Sequence, residues 1–391
     1  MPIADLYCLP TTIFIPFHPN PSFSRAMKTR HSSPLLLLSG LLLFASCQTL
    51  EQFSIDYMEP AEVSFPEELQ RVGVVNNTPN SPNPDMPTLR AEHEQAPNIV
   101  SHKAERYDGK AMLTTEALAQ SLADHNYFEL VVICDSALRA TDTDPHGRPL
   151  TPEEVNSLTD ALGVDFLLSV ENVQMHSLHQ VAYLPEWNVY QGTVDVKVQP
   201  TVRIYLPGRQ RPMATINACD SIFWEEFGES EAFLQHHLID GEELVEEAST
   251  FAGNIPVQHI LPEWKNATRY YFGGGTVNMR DAAVYARESD WPAATALWHD
   301  SYEKSKGKSK MRAAFNLAVG YEMQDSIGTA LHWAEVAQKL AEELEHPNEH
   351  SDLNDVPDYV LSTLYMQELK KRQEALPRLQ MQTKRLVNED F

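Results

Sequence analysis

The sequence predicts an α+β protein in two parts. An α/β domain with a mixed sheet comes first, and an all-α helical repeat domain follows it. Three observations predict this. Between residues 68 and 170, short apolar strand-like runs alternate with helical patterns. From Tyr190 to Trp224, strand-like segments follow one another over links too short for parallel crossovers, so some of them must pair antiparallel. From about Met279 the apolar period becomes helical, and a pattern of small and aromatic residues returns 36 residues later.

The chain opens on an address rather than on a fold. Lys28, Arg30 and His31 form a basic start, and an apolar run from Pro34 to Ala45 follows, broken only by Ser39 and Gly40. Ser46 and Cys47 close it, which is the layout of a secretory signal. The run is about a dozen residues long, and about 20 are needed to span a bilayer as a helix. Phe44-Ala45-Ser46-Cys47 resembles a bacterial lipobox, with Phe44 standing where Leu is usual. That resemblance implies cleavage before Cys47 and a diacylglycerol on its thiol. Several acyl chains would then hold the protein firmly to a lipid bilayer. Residues 1–26 read as a start placed too early, with Met27 the true start, or as an atypical extension. Residues 27–46 are the signal, and 47–67 are a tether leading to a first strand.

The first domain is expected over 68–228. Arg71–Asn77 reads as a buried strand ending in a polar turn. Residues 78–100 form a long loop, because Pro79, Pro82, Pro84 and Pro87 prevent regular structure. A helix covers Lys110–His125, with Ala111, Leu113, Leu118 and Leu122 on its apolar side, and Phe128–Ile133 is a strand. In Thr151-Pro152-Glu153-Glu154, Thr151 caps a helix, Pro152 takes its first position and Glu154 completes a capping box. Gly163 ends that helix. Asp165–Val170, Tyr190–Val198, Val202–Leu206 and Met213–Phe223 follow as strands.

This order resembles the amino-terminal α/β domain of the Tol-system translocation protein, the curli-secretion lipoprotein and the penicillin-binding-protein activators. The residues that carry the resemblance are Val72–Asn76, Tyr127-Phe128-Glu129-Leu130-Val131 and Ala161-Leu162-Gly163-Val164-Asp165-Phe166-Leu167-Leu168. It implies a domain that binds other proteins or assembles.

The second domain is expected over 229–391. Residues 229–252 read as an acidic helix whose Glu242, Glu243, Glu246 and Glu247 face solvent. Then Ala282, Tyr285, Trp291, Ala294 and Trp298 are followed by Ala318, Tyr321, Ala330, Trp333 and Ala334. These two sets resemble tetratricopeptide repeats, whose period is about 34 residues. The extra residues fall in the Lys304–Lys310 connection. A weaker third unit lies across Pro357–Gln373, and residues 229–252 and 357–385 are candidate caps. The resemblance implies that the small residues let helices approach and the large ones fill the gaps. A concave repeat face is the alternative place for the aromatics.

Composition narrows the partners. Lys and Arg number 30 against 55 Asp and Glu, a formal net charge of −25. This argues against nucleic acid and against a direct grip on anionic lipid heads. Cys134 and Cys219 lie in strand-like runs and read as two buried thiols, or as a bridge that an envelope would permit. No Cys or His cluster has metal-ligand spacing, and no cofactor is expected. Gly109-Lys110 lacks the glycine-rich lead of a phosphate loop, and Gly273-Gly274-Gly275 lacks dinucleotide spacing, so no nucleotide is expected. His176 and His179 flank a long connection and read as surface residues. There is no Gly-x-Ser-x-Gly elbow and no His-Glu-x-x-His.

The whole chain after Cys47 also resembles a lipoprotein family of the Bacteroides group of bacteria. Pro60-Ala61-Glu62-Val63-Ser64-Phe65-Pro66, Val72-Gly73-Val74-Val75-Asn76-Asn77, Asp220-Ser221-Ile222-Phe223-Trp224 and Arg269-Tyr270-Tyr271 carry it. It implies no established activity. Gln48 follows Cys47, without the Asp of inner-membrane retention, and only Glu51 is acidic nearby. The expectation is therefore the periplasmic side of the outer membrane, with the cell surface as the alternative. The expected function is a non-enzymatic, membrane-anchored scaffold or assembly adaptor for another envelope protein or peptide. The competing class is a cell-wall or glycan-processing enzyme, for which no residues can be named.

Overall fold

A computed structural model describes residues 50–79, 98–142, 147–348 and 351–387. The signal region and Cys47 lie outside the described residues, as does most of the proline-rich stretch 78–100. The chain forms two compact units. One holds Ala61–Pro262 with the residues from Met381 onward, and the other holds residues 50–60 with Glu263–Gln380. The boundary expected at 228/229 therefore falls at 262/263. The acidic helical segment packs on the sheet, because Leu234, Leu244, Ala248, Ala252 and Ile260 are buried there.

In chain order, β1 (Leu50–Glu59) belongs to the second unit. It pairs antiparallel with a later strand, in place of the expected tether. The first unit then runs through β2 (Arg71–Asn76), β3 (Ile99–Asp108), α1 (Ala111–Asp124), β4 (Leu130–Ala137) and α2 (Pro152–Leu162). It continues with β5 (Phe166–Leu184), β6 (Val189–Tyr205), β7 (Ala214–Asn217), β8 (Asp220–Gly228), α3 (Glu231–His237), α4 (Gly241–Asn254) and α5 (Val257–Ile260). Its sheet has the order β4-β2-β5-β6-β7, with β3 added on β5 and β8 on β6. β4, β2 and β5 are parallel, and the remaining pairings are antiparallel.

β5 shows why the sheet is mixed. Phe166 to Val170 are all buried, as befits a strand covered on both faces. β6 pairs with it throughout, but beyond the irregularity between Val170 and Asn172 burial alternates, and the neighbour on the other side changes from β2 to β3. The expected separate strands 190–198 and 202–206 are one strand, β6. The expected strand 213–223 is two, β7 and β8.

α1 and α4 cover one face of the parallel strands, packing Leu118, Leu122 and Leu244 on Val72, Val74, Phe166 and Leu168. They approach closely at Gly253, where a Cβ would lie 2.5 Å from the Thr114 carbonyl oxygen. The Thr114 hydroxyl donates to the Ser249 carbonyl at 2.8 Å across the same contact. α2, with Val155, and Leu150 just before it cover the other face against Val75 and Leu167. Its amino terminus carries the expected capping box of Thr151 and Glu154, and Gly163 ends it at φ 67°. Cys134 on edge strand β4 and Cys219 beside β7, near the opposite edge, are unbridged thiols.

The second unit adds β9 (Glu263–Phe272), α6 (Val277–Arg287), α7 (Trp291–Lys304), α8 (Gly307–Glu322), α9 (Ile327–Glu345) and most of α10 (Pro357–Val387). β1 and β9 pair along ten residues each, from Leu50 opposite Phe272 to Glu59 opposite Glu263. Each of α6, α7 and α8 packs on the next helix. One turn occurs twice in this array. Ser289 and Asp325 both adopt positive φ, 62° and 55°. The Asp290 and Ser326 amides donate back to the carbonyls of Tyr285 and Tyr321, each at 2.9 Å. The two turns stand at the 36-residue spacing read from the sequence.

Charge is buried at the centre of this unit. Arg269 on β9 donates to Glu322 on α8 at 2.8 and 3.0 Å, and to Glu368 on α10 at 2.7 Å. The Tyr365 hydroxyl and Arg372 complete the shell of Glu322. Burial works against the Arg269 charge, but the adjacent Glu322 carboxylate outweighs it and raises the pKa further. Asn316 ties α8 to the end of β9, bonding both the amide and the carbonyl of Phe272 at 2.8 and 2.9 Å.

Candidate protein-binding site

The residues singled out in the helical repeats divide into two groups. Ala282, Ala294, Trp298, Ala318, Ala330 and Ala334 are buried where the helices cross. Trp291 joins them, its ring tilted against Phe53 of β1 at 5.2 Å. A small residue at a crossing lets two backbones approach, and Trp298 fills the gap beside Gly320, 3.1 Å from where its Cβ would stand. Tyr285, Tyr321 and Trp333 reach the surface instead. Tyr285 is 39% exposed, and the other two are half-buried.

Trp333 belongs to a cluster that the linear pattern did not show. His299 and Tyr302 lie one turn apart on α7, and their rings meet Trp333 of α9 edge-on at 5.0 and 4.9 Å. His332 stands beside Trp333 at 5.7 Å and is exposed. Tyr321 of α8 approaches His299, with its hydroxyl 3.2 Å from Nε2. The Lys310 ammonium sits 4.4 Å above the Tyr302 ring. Three successive helices thus present a half-buried face of aromatic rings with polar tips. Such rings combine large contact area with few rotatable bonds, which is why they anchor protein interfaces. The signal for it was present in the sequence as His299, Tyr302 and Trp333, but only the α7–α9 approach brings the three together. Lys310 is the lysine that contacts this face, while Lys304 and Lys308 are held by Asp300 and Asp358.

In the first unit, parallel sheets bind ligands at the carboxyl ends of their strands, where strand order reverses. Here β2 has β4 on one side and β5 on the other. The residues at that end are bound to one another. Glu171, at the β5 irregularity, accepts from Asn77 at 2.9 Å and Tyr205 at 3.1 Å, and Arg203 lies 3.3 Å away. Its burial pushes its carboxyl above the usual range. Arg139 grips Glu154 with two bonds of 2.8 and 3.0 Å and holds that carboxyl down at about 2. Each arginine faces a carboxylate, so the crevice offers little net charge to a ligand.

His176 and His179 do not flank a connection. Both lie within β5, on opposite faces, opposite Arg106 and Lys103 of β3. Among the described residues no helix is long and apolar enough to cross a membrane.

Comparison with known proteins places the chain as follows. No curated protein matches it, and no solved structure matches it. Residues 280–371 match a family model described as a domain of unknown function, DUF6340. Residues 69–272 match a second model, described as the domain of unknown function DUF8603. That second match covers more than half of the residues, and the chain belongs to the DUF8603 family.

Proposed function

We propose that this chain is a lipid-anchored protein of a bacterial envelope that binds a segment of another protein through its helical region. The reading takes α6–α9 as two tetratricopeptide-like repeats. The repeated turn after Tyr285 and Tyr321 supports it, as do the alanines buried at the same positions of each hairpin. The anchor is acylated Cys47, argued from the basic start, the short apolar run and the small residues before it. The expected location is the periplasmic face of the outer membrane.

One observation carries the binding role: the half-buried aromatic face of His299, Tyr302, Tyr321 and Trp333. A face of this kind suits a segment with an apolar anchor, and the Lys310 ammonium at its edge favours an acidic flank. The test is cross-linking of the full chain in envelope preparations, followed by identification of what is joined to it. A discrete partner joined to the parent chain, and lost from a folded Tyr302→Ala, Trp333→Ala variant, is expected. Equal cross-linking of both chains overturns the assignment. For the anchor, Cys47→Ala should move the protein from the membrane fraction to the soluble envelope fraction, and unchanged fractionation would refute it.

A further inference from the structure

In the antiparallel half of the first unit's sheet, side chains alternate between two faces. Lys103, Glu105 and Tyr107 of β3 share a face with Met175, Ser177 and His179 of β5. That face points inward. Met175 and Ser177 are buried, and Val194 and Val196, opposite His179 and Ser177 on β6, belong to the core. Glu105 and His179 thus occupy positions where a sheet normally places apolar residues. Asp240, at the amino terminus of α4, comes up to them. Side-chain ligand atoms of Glu105, His179 and Asp240 all lie within 4.8 Å of one another. His179 Nε2 is shielded from solvent and has no hydrogen-bond partner among the described residues. Such an orphaned nitrogen requires an explanation. Burial also holds the imidazole below the ordinary histidine range.

We propose that Glu105, His179 and Asp240 bind one divalent transition-metal cation of the zinc or manganese type. One imidazole and two carboxylates form a donor set suited to such ions, and three protein ligands leave room for water. The supporting contacts fit the role. The Tyr107 hydroxyl donates to Glu105 Oε2 at 2.7 Å and orients that carboxylate. Asp240 is fixed through its Oδ1, which accepts from the Gly241 amide at 2.7 Å. Lys103 places its ammonium 2.7 Å from Glu105 Oε2, where it neutralises the carboxylate when no cation is bound. Its side chain is 58% exposed, so it can swing outward when a cation arrives. This site is separate from the aromatic face and does not rest on the protein-binding reading.

The test uses the full chain, stripped with a chelator and titrated with zinc chloride by calorimetry. Cobalt absorption serves as a second readout of coordination. One equivalent is expected to bind. His179→Ala and Asp240→Asn should each weaken binding at least tenfold, while Lys103→Met should bind as tightly or more tightly. Asn caps a helix about as well as Asp, so Asp240→Asn keeps the fold and its loss of binding is informative. The proposal is overturned if the parent chain binds no zinc, or if the His179→Ala, Asp240→Asn double variant binds zinc as the parent does. The latter would mark adventitious binding by other histidines or thiols.

Discussion

Two polar clusters, one at the centre of the second unit and one in the antiparallel half of the first unit's sheet, are held in opposite ways. In the second unit, Arg269 and Glu322 are enclosed and every contact between them is returned. The guanidinium makes a two-point grip, and Tyr365, Glu368 and Arg372 close the shell. In the first unit, His179 is half-buried beside Glu105 and Asp240, and its Nε2 has no hydrogen-bond partner among the described residues. A closed network stiffens the place where β9, α8 and α10 meet, and its groups have no capacity left for a ligand. A cluster with an unpaired donor atom does have that capacity. The difference separates polarity whose hydrogen bonds are closed from polarity that keeps an orphaned nitrogen.

That contrast can be broken by mutation, beginning with its closed side. Glu322→Gln leaves Arg269 and Arg372 without their shared carboxylate inside the second unit. The expected loss is about 3–5 kcal/mol, the cost of stranding a buried charge. It should appear as earlier hydrogen exchange and a lower urea midpoint for residues 263–380, and a change below about 1 kcal/mol would show the network to be dispensable. The first unit depends on close packing more than on charge. Gly253→Val places methyl groups against the α1 backbone at Thr114 and Leu118 and should cost about 1–3 kcal/mol. An unchanged urea midpoint for that unit would show that α1 and α4 separate freely.

A smaller effect is expected at the carboxyl end of the parallel strands. Arg139 holds Glu154 at about 2 in the folded chain, below the unfolded carboxylate range near 4.3. A depressed carboxyl contributes stability that is present above the unfolded pKa and is lost as pH falls toward the folded one. The contribution is about 1–2 kcal/mol after allowance for solvent screening, and it should fade between about pH 5 and pH 2. Arg139→Leu should flatten the acid limb in that window. An acid limb identical to the parent's would mean that the pair contributes nothing. The smallest change is expected at the open cluster. Asp240→Asn should alter metal-free stability by less than about 0.5 kcal/mol, because the position is exposed and the cap is kept. A larger loss would make Asp240 a structural residue like Glu322.

Local features were legible from the sequence, and their physics is local. The α2 capping box needs only Thr151, Pro152 and Glu154 within one turn, and Gly163 ends that helix through its own φ. The turns after Tyr285 and Tyr321 recur at the spacing that the residue pattern showed. The sequence alone does not show β1, because Leu50–Glu59 finds its partner only at Glu263–Phe272. β3 is not legible in the sequence because its inward face carries Lys103 and Glu105, which mask the strand pattern. The acidic stretch after Gly228 looked like a cap for the repeats, since charge on one helix face does not say which sheet or helix will take the other.

By itself, then, the sequence determined the two-part α+β character, the helix limits around Thr151–Gly163 and the period of the helical region. The helix limits follow from residues within a few turns, and the other two from patterns of residue type along the chain. Tertiary structure alone decided that residues 229–262 join the sheet and that β1 pairs with β9. It also decided which aromatics face outward, and that Glu105, His179 and Asp240 meet. Such outcomes depend on contacts between distant segments, where closure entropy and packing against the rest of the chain decide among many pairings that are locally equivalent.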